Sequence, residues 1–390
     1  MSYTLDTIID RRNTHSLKYD FAAERGKPAD VLPFWVADMD FQTSPVILDA
    51  LQKAVAHGIF GYTESGGAYF DALHAWYQRY FGWGTEKDWF TKTPGVVFAI
   101  CAAIRAFTEP GDSVLIQPPV YYPFLESIRY NHRNLVENPL IRKDGKYVMD
   151  LEDLEKKVRE HHVKLCLLCS PHNPVGRVWT KEELRQFSAV CHKYHVLVVA
   201  DEIHQDFVYP EHVHTVFSSL GKGEESFTIT CTAPSKTFNI AGLQASNIWI
   251  PNLDLRRRFR DELTGAGYSQ LGGMGVIACE AAYAGGRPWL EDVLVYLKDN
   301  IDFVRQYLQD NLPGIVLTEP DGTYLLWLDF RKYGLSDKEL EQKLLYDAGL
   351  WLDMGAIFGK EGSEFARLNI ACPRKTLEEG LDRLHRAFKN

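Results

Sequence analysis

Short, continuous apolar runs alternate with helical patterns through the middle of the chain. "DSVLIQ" (112–117), "VKLCLLCS" (163–170) and "HVLVVADE" (195–202) are such runs, and "SFTITCT" (226–232) is a fourth in which apolar residues alternate with serine and threonine. Between the second and third lies "TKEELRQFSAVCHKYH". There Thr180 followed by Glu183 makes a capping box, and Leu184, Phe187, Val190 and Cys191 share one face. Repeated strand, helix, strand units predict a parallel sheet covered on both faces, with ligands binding beyond the carboxyl ends of its strands.

A second region begins near residue 288. "RPWLEDVLVYLKDNIDFVRQYLQDNL" keeps Leu290, Val293, Leu294, Leu297, Ile301, Val304 and Leu308 at helical spacing, as a long connecting helix would. "IVLTEPDGTYLLWLDF", "SDKELEQKLLYDAG" and "EFARLNIACP" follow, a mixed pattern that predicts a smaller α+β unit. The chain shows no internal repeat and no low-complexity segment.

Composition narrows the partner. A chain of 390 residues with 45% hydrophobic content supports two sizeable cores. Its net charge of -9 comes from 43 basic and 52 acidic residues interspersed along the chain, so no basic stripe tracks a nucleic acid and a small molecule is expected instead. "MSYTLDTIIDRRNTHSLKYD" lacks the apolar core of a signal peptide, and no apolar run approaches the roughly 18 residues of a membrane span, so no membrane association and a cytoplasmic location are expected. Cys166 and Cys169 form a C-x-x-C, but without a second pair or clustered histidines the apolar flanks favour a buried strand over a metal or redox site.

The candidate chemistry sits where the apolar runs end. In "CTAPSKTFNIAG", Lys236 is surrounded by small residues and is either a Schiff-base lysine or one snorkelling from a turn. Asp201 ends "VLVVA" and either meets a cation or caps a helix. Asn173 in "SPHNPVGRVWT" either holds a ligand oxygen or belongs to an ordinary turn, and Tyr121 in "PPVYYPF" either stacks on an aromatic ligand or packs in the core. In "TKTPGVVFAICAAIRAF", Pro94 and Gly95 open a helix whose free N–H groups and dipole suit an anion. Arg367 in "FARLNIA" is either a carboxylate clamp or a solvent-facing edge residue. Singly these signals are weak. Their joint order, with Tyr121, Asn173, Asp201 and Lys236 each following a predicted strand, is specific.

With those motifs in view, the chain resembles a fold-type I pyridoxal 5'-phosphate enzyme of the class I/II aminotransferase superfamily, carried by "SPHNPVG", "ADEIH", "APSKTFN" and "FARLNIACP". Within it, "LPFWVADMDF", "FGYTES", "DEIHQDF" and "SKTFNIAGLQ" are similar to the MalY/PatB group of cystathionine β-lyases, also described as cysteine-S-conjugate β-lyases. The resemblance implies an α/β fold: a large cofactor domain with a mostly parallel, helix-covered sheet (46–287), a smaller α+β domain (288–390), and an N-terminal segment (1–45) that joins the small domain and covers the active site. It also implies a homodimer with active sites at the interface.

Carried over by motif, Lys236 would form the Schiff base and act as the catalytic base, Asp201 would pair with the pyridine nitrogen, and Asn173 would bond the phenolic oxygen and border the substrate. Tyr121 would stack on the ring beside the reacting atoms. Gly95, Val96, Val97, Ser235 and the partner's Tyr62 would hold the phosphate. Arg367 would clamp the substrate carboxylate, with Val36 and Ala37 beside it, and His204, three residues after Asp201, would support the aspartate from behind. Two positions depart from the wider superfamily, where an arginine and a serine serve the phosphate: Gln244 and Ala233 stand there instead, and the β-lyase group also lacks the arginine. The implied reaction is α,β-elimination of an amino-acid substrate carrying sulfur at its β carbon. An aminotransferase shares the early steps, and a non-catalytic regulator would use the same fold to sense a metabolite.

Overall fold

The computed structural model describes residues 3–389. Its main sheet has seven strands: Phe90–Thr93 (β1), Ser113–Ile116 (β2), Asn134–Glu137 (β3), Leu165–Cys169 (β4), Leu197–Asp201 (β5), Thr228–Thr232 (β6) and Ser246–Trp249 (β7). Their spatial order is β1-β7-β6-β5-β4-β2-β3. Strands β2 to β6 run parallel, and the four expected apolar runs are β2, β4, β5 and β6. β7 is antiparallel to both its neighbours.

The uniform apolarity of the central strands has a direct cause. Leu165, Leu167, Val199 and Ile229 face a cluster with Val96, Ala99, Ile100 and Ala103 of the helix Val96–Phe107 (α1). Cys166, Leu168, Val198 and Ala200 face the opposite cluster, with Leu184, Phe187 and Cys191 of the helix Lys181–Lys193 (α2). Successive residues therefore lose water on opposite faces, each large side chain contributing about 1.5–3 kcal/mol. The Thr180–Glu183 capping box is formed, with Glu183 N donating to Thr180 Oγ1 at 3.2 Å and Thr180 N to Glu183 Oε2 at 2.8 Å.

β1 and β7 also mix polar with apolar residues. Some of their polar side chains are buried against one another or against tyrosine: Thr93 and Ser246 hydroxyls lie 2.6 Å apart, and Asn247 Oδ1 accepts from Tyr69 OH at 2.8 Å.

The helix Arg287–Asn311 (α3) buries Leu290, Val293, Leu297, Ile301, Val304 and Leu308. It packs in one cluster with a second sheet of Val316–Thr318 (β8), Leu325–Asp329 (β9), Asp353–Met354 (β10) and Phe365–Asn369 (β11). This sheet is antiparallel throughout, in the order β8-β9-β11-β10. The N-terminal segment is stitched to it. Leu32–Pro33 pairs in parallel with Leu350–Trp351, Asp40 N donates to Ala371 O at 2.8 Å, and Asn369 Nδ2 donates to Val36 O and Asp38 O, each at 2.6 Å.

Candidate active site

Strand register gathers the site. Cys169, Asp201 and Cys231 are neighbours across β4, β5 and β6, so the loops leaving these strands open at one edge of the sheet. Asn173 follows β4, Lys236 follows β6, Tyr121 follows β2, and α1 points its N-terminus at the same edge. A cavity of about 340 Å³ results, lined by Ala37, Gly95, Val96, Val97, Tyr121, Asn173, Asp201, His204, Ser235 and Lys236. Pro94, Cys169, Phe98, Ile203, Ala241 and Gln244 complete its walls.

The Lys236 ammonium donates to the Ala37 carbonyl at 2.6 Å. Burial pulls its pKa down to about 8; the charge of Asp38 acts against this, Arg367 reinforces it and Asp201 opposes it. Asp201 is buried, and its Oδ1 accepts from Ile203 N at 3.1 Å. Burial pushes this carboxyl up to about 7, with the Ile203 N–H and Lys236 favouring the ionised form and Glu202 disfavouring it. No helix begins after Asp201, where turns follow β5; this carboxylate instead faces a cavity, with no cation bonded to it among the described residues.

His204 is also buried, and burial lowers it to about 3, so its ring is neutral at neutral pH. Its Nδ1 has no hydrogen-bond partner among the described residues. The expected supporting bond to Asp201 is not formed; Asp201 turns to its own loop's amide, and His204 is itself part of the cavity wall. Tyr121 is half-buried, and burial raises its phenol, which stays protonated.

At the head of α1, the first intrahelical bond is Ala99 N to Gly95 O at 3.1 Å, which leaves the N–H groups of Val96, Val97 and Phe98 ahead of it. A Cβ placed on Gly95 would meet nothing within 4 Å, so its backbone borders open space. Ser235 makes one long bond, to Ala245 O at 3.5 Å.

Three expected residues lie elsewhere. Arg367 is buried rather than solvent-facing, but it stands behind Asn173 and not in the cavity wall. Its Nη1 donates to Asn173 Oδ1 at 3.0 Å, which leaves the Asn173 amide hydrogens for the cavity, and its Nη2 donates to Trp35 O at 2.8 Å and to Asp353. Val36 lines an adjoining cavity of about 600 Å³ that shares Lys236 and Ala241 with the first. Tyr62 is fully exposed and lines an open groove of about 830 Å³, which shares Pro94 and Gln244 with the cavity but is a separate space.

Residues unmarked in the sequence also shape the site. Tyr324 OH donates to Ala37 O at 3.0 Å, sharing that carbonyl with Lys236. Asp38 and Asp40 anchor the 36–41 stretch: Arg11 bonds both, at 2.6 and 2.7 Å, and the buried Lys18 bonds Asp40 at 2.9 Å. Asp353 pairs with Arg367. A carboxylate in the otherwise apolar "LWLDM" is the one feature of the sequence that marks Asp353.

Comparison with known proteins agrees with this geometry. The profile of the family "Aminotransferase class I and II" matches residues 29–384. The chain is 44% identical to cystathionine beta-lyase PatB of Bacillus subtilis, over 98% of this chain and 99% of that one. Among solved structures, cystalysin from Treponema denticola, which contains a pyridoxal 5'-phosphate cofactor, superposes with a TM-score of 0.96 at 39% identity, covering 100% of this chain and 99% of the other. A PLP-bound Clostridium difficile chain named as an aminotransferase gives 0.97 at 41% identity, over 99% of this chain and 100% of that one. With match, coverage and strand-end constellation in accord, the chain belongs to the aminotransferase class I and II family.

Proposed function

We propose that the chain is a pyridoxal 5'-phosphate-dependent carbon–sulfur β-lyase, which converts L-cystathionine and other cysteine S-conjugates, with water, to a thiol, pyruvate and ammonia. The observation that carries the chemistry is the pairing, across one cavity, of the half-buried Lys236 amine with the buried Asp201 carboxylate, which has no cation bonded to it among the described residues. The likeness to a cystathionine beta-lyase over the full chain supports the lyase outcome.

The residues fit the cofactor. Asp201 would meet its protonated ring nitrogen, and the Asn173 amide hydrogens would meet its phenolic oxygen. Tyr121 would lie against its ring. Gly95, Val96, Val97 and Ser235, with the partner's Tyr62, would hold its phosphate without an arginine at position 244. His204 belongs to the cofactor-binding wall. When bound on Lys236, pyridoxal phosphate supplies an electron sink for a carbanion at the substrate's α carbon.

The chain's own groups then divide the work. Arg367, oriented by Asn173 and Trp35, would take the α-carboxylate, with Val36 and Ala37 alongside. The Lys236 amine, its pKa lowered by burial to about 8, would remove the α proton, after which the bond from the β carbon to sulfur would break and the thiolate would leave. Asp201 stays ionised when a cation faces it and so keeps the electron-withdrawing form in place.

Assembly and location belong to the same proposal. Ile59, Phe60 and Tyr62 are exposed beside the open groove, which supports a homodimer in which each chain completes the other's site. Seven unpaired cysteines support a reducing, cytoplasmic setting, and no helix among the described residues is long and apolar enough to cross a membrane. The division into an N-terminal segment (1–45), a large domain (46–287) and a small domain (288–390) is supported by the two separate sheets and by α3 between them.

The test mixes purified protein, pyridoxal phosphate and L-cystathionine without a keto acid and follows pyruvate and thiol. Equal amounts of both, lost in Lys236→Ala, are expected. The likeness to a chain named as an aminotransferase supports the rival reading, which predicts cofactor in its amine form and no pyruvate.

A further inference from the structure

β10 and β11 are in antiparallel register with Asp353 directly opposite Arg367, and both side chains are buried. A guanidinium carries five N–H donors. Both hydrogens of Nη2 are engaged, by Asp353 Oδ2 and by Trp35 O at 2.8 Å. One hydrogen of Nη1 goes to Asn173 Oδ1 at 3.0 Å, and Nε has no partner among the described residues.

A carboxylate binds a guanidinium best through two parallel N–H bonds on one edge. Either such edge includes Nη2, whose hydrogens are already taken. Trp35 O is main chain, fixed beside the Leu32–Pro33 pairing, whereas the Asp353 carboxylate is a side chain on a strand of two residues. Burial also raises the cost of holding two anions against one cation, because little solvent screens them.

We propose that Asp353 is a specificity-determining residue: an internal carboxylate that occupies Arg367 and competes with the substrate's α-carboxylate for it. This rests on the reading that Arg367 receives that carboxylate. Substrate enters by exchanging one carboxylate for another, and the resident aspartate sets how strongly a carboxylate-bearing ligand is held.

Asp353→Asn keeps the shape and an acceptor for Nη2 but removes the charge. In the holoenzyme, KM for S-methyl-L-cysteine should fall about tenfold in this variant, with a smaller change in kcat, while the inhibition constant of carboxylate-free S-methylcysteamine stays put. Calorimetric titration of the cofactor-free protein with β-(methylthio)propionate, which has no amine to react, should show the same tightening, and Arg367→Lys should lose the binding. Asp353→Ser serves if the amide variant does not fold. Unchanged or weaker binding in a folded Asp353 variant overturns the proposal, as does full binding by Arg367→Lys. Absence of thiol and pyruvate from the native protein would sink the lyase reading alone, since the titration reports on Asp353 without turnover.

Discussion

Lys236 and Ala37 are joined by a 2.6 Å hydrogen bond that spans 199 positions of sequence. The amine at the end of β6 is thus held by the main chain of the N-terminal segment, and Asp38, the next residue, is the strongest influence working against burial on its pKa. The groups that set the lysine's protonation therefore belong to a segment far away in sequence.

Asp38→Asn should lower the Lys236 pKa below its native value of about 8, because a charge favouring the ammonium is removed while burial remains. The pH dependence of the rate at which cofactor-free protein reacts with pyridoxal phosphate reads this directly. Its midpoint should move to lower pH in the variant, and a midpoint that does not move would remove Asp38 from the account.

Asp201 predicts a conflict between stability and activity. Its carboxyl titrates at about 7 in the fold against an ordinary 3.8, so the folded state binds the proton more tightly and the cofactor-free protein loses stability as pH rises between those values. Asp201→Asn should raise the melting temperature of the cofactor-free protein at pH 8, by an equivalent of up to a few kcal/mol, while activity falls by at least about a hundredfold. Thermal melts at pH 5 and pH 8 check the sign, since the gain should shrink at the lower pH.

The buried pair of Arg177 and Asp321, at 2.7 Å, ties the loop after β4 to the turn before β9. Asp321 also accepts from Val178 N at 3.3 Å and lies 3.2 Å from His212. Asp321→Ala leaves the guanidinium buried without this partner and should cost about 3–5 kcal/mol in denaturant unfolding. A loss below 1 kcal/mol would mean that Glu183, 3.0 Å from the same arginine, suffices.

If each site needs the partner's Tyr62, then Lys236→Ala and Tyr62→Ala proteins, each poorly active alone, should regain activity when unfolded and refolded together. Random pairing puts one intact site in half of the dimers, so the recovery should be roughly a quarter of the native rate. No recovery would count against a shared site.

Much of this was legible in the chain because doubly covered strands must be apolar until they reach the edge. Asp201 and Lys236 stand out as the first charges after such runs, and the order of Tyr121, Asn173, Asp201 and Lys236 follows from strands that all exit at one end. Asp353 was hidden because a strand of two residues has no period to read. The roles of Trp35 and Ala37 here are played by carbonyl oxygens, which every residue has. The placing of Arg367 behind Asn173 depends on packing between two sheets, and Tyr62 is exposed in a groove beside the cavity; neither follows from local pattern.

The stitching of residues 32–40 to residues 349–371 also governs how the protein is made. The strap that holds Lys236 leaves the ribosome well before residues 349–371, to which it is hydrogen-bonded. Until then Asn239 can hold Met39 and Phe41, but the bonds to residues 349–371 that complete the placing of Ala37 in the cavity wall are missing. A nascent or truncated chain that lacks residues 349–371 should therefore bind the cofactor poorly even where its sheet is complete, and cofactor capture should follow the arrival of that segment.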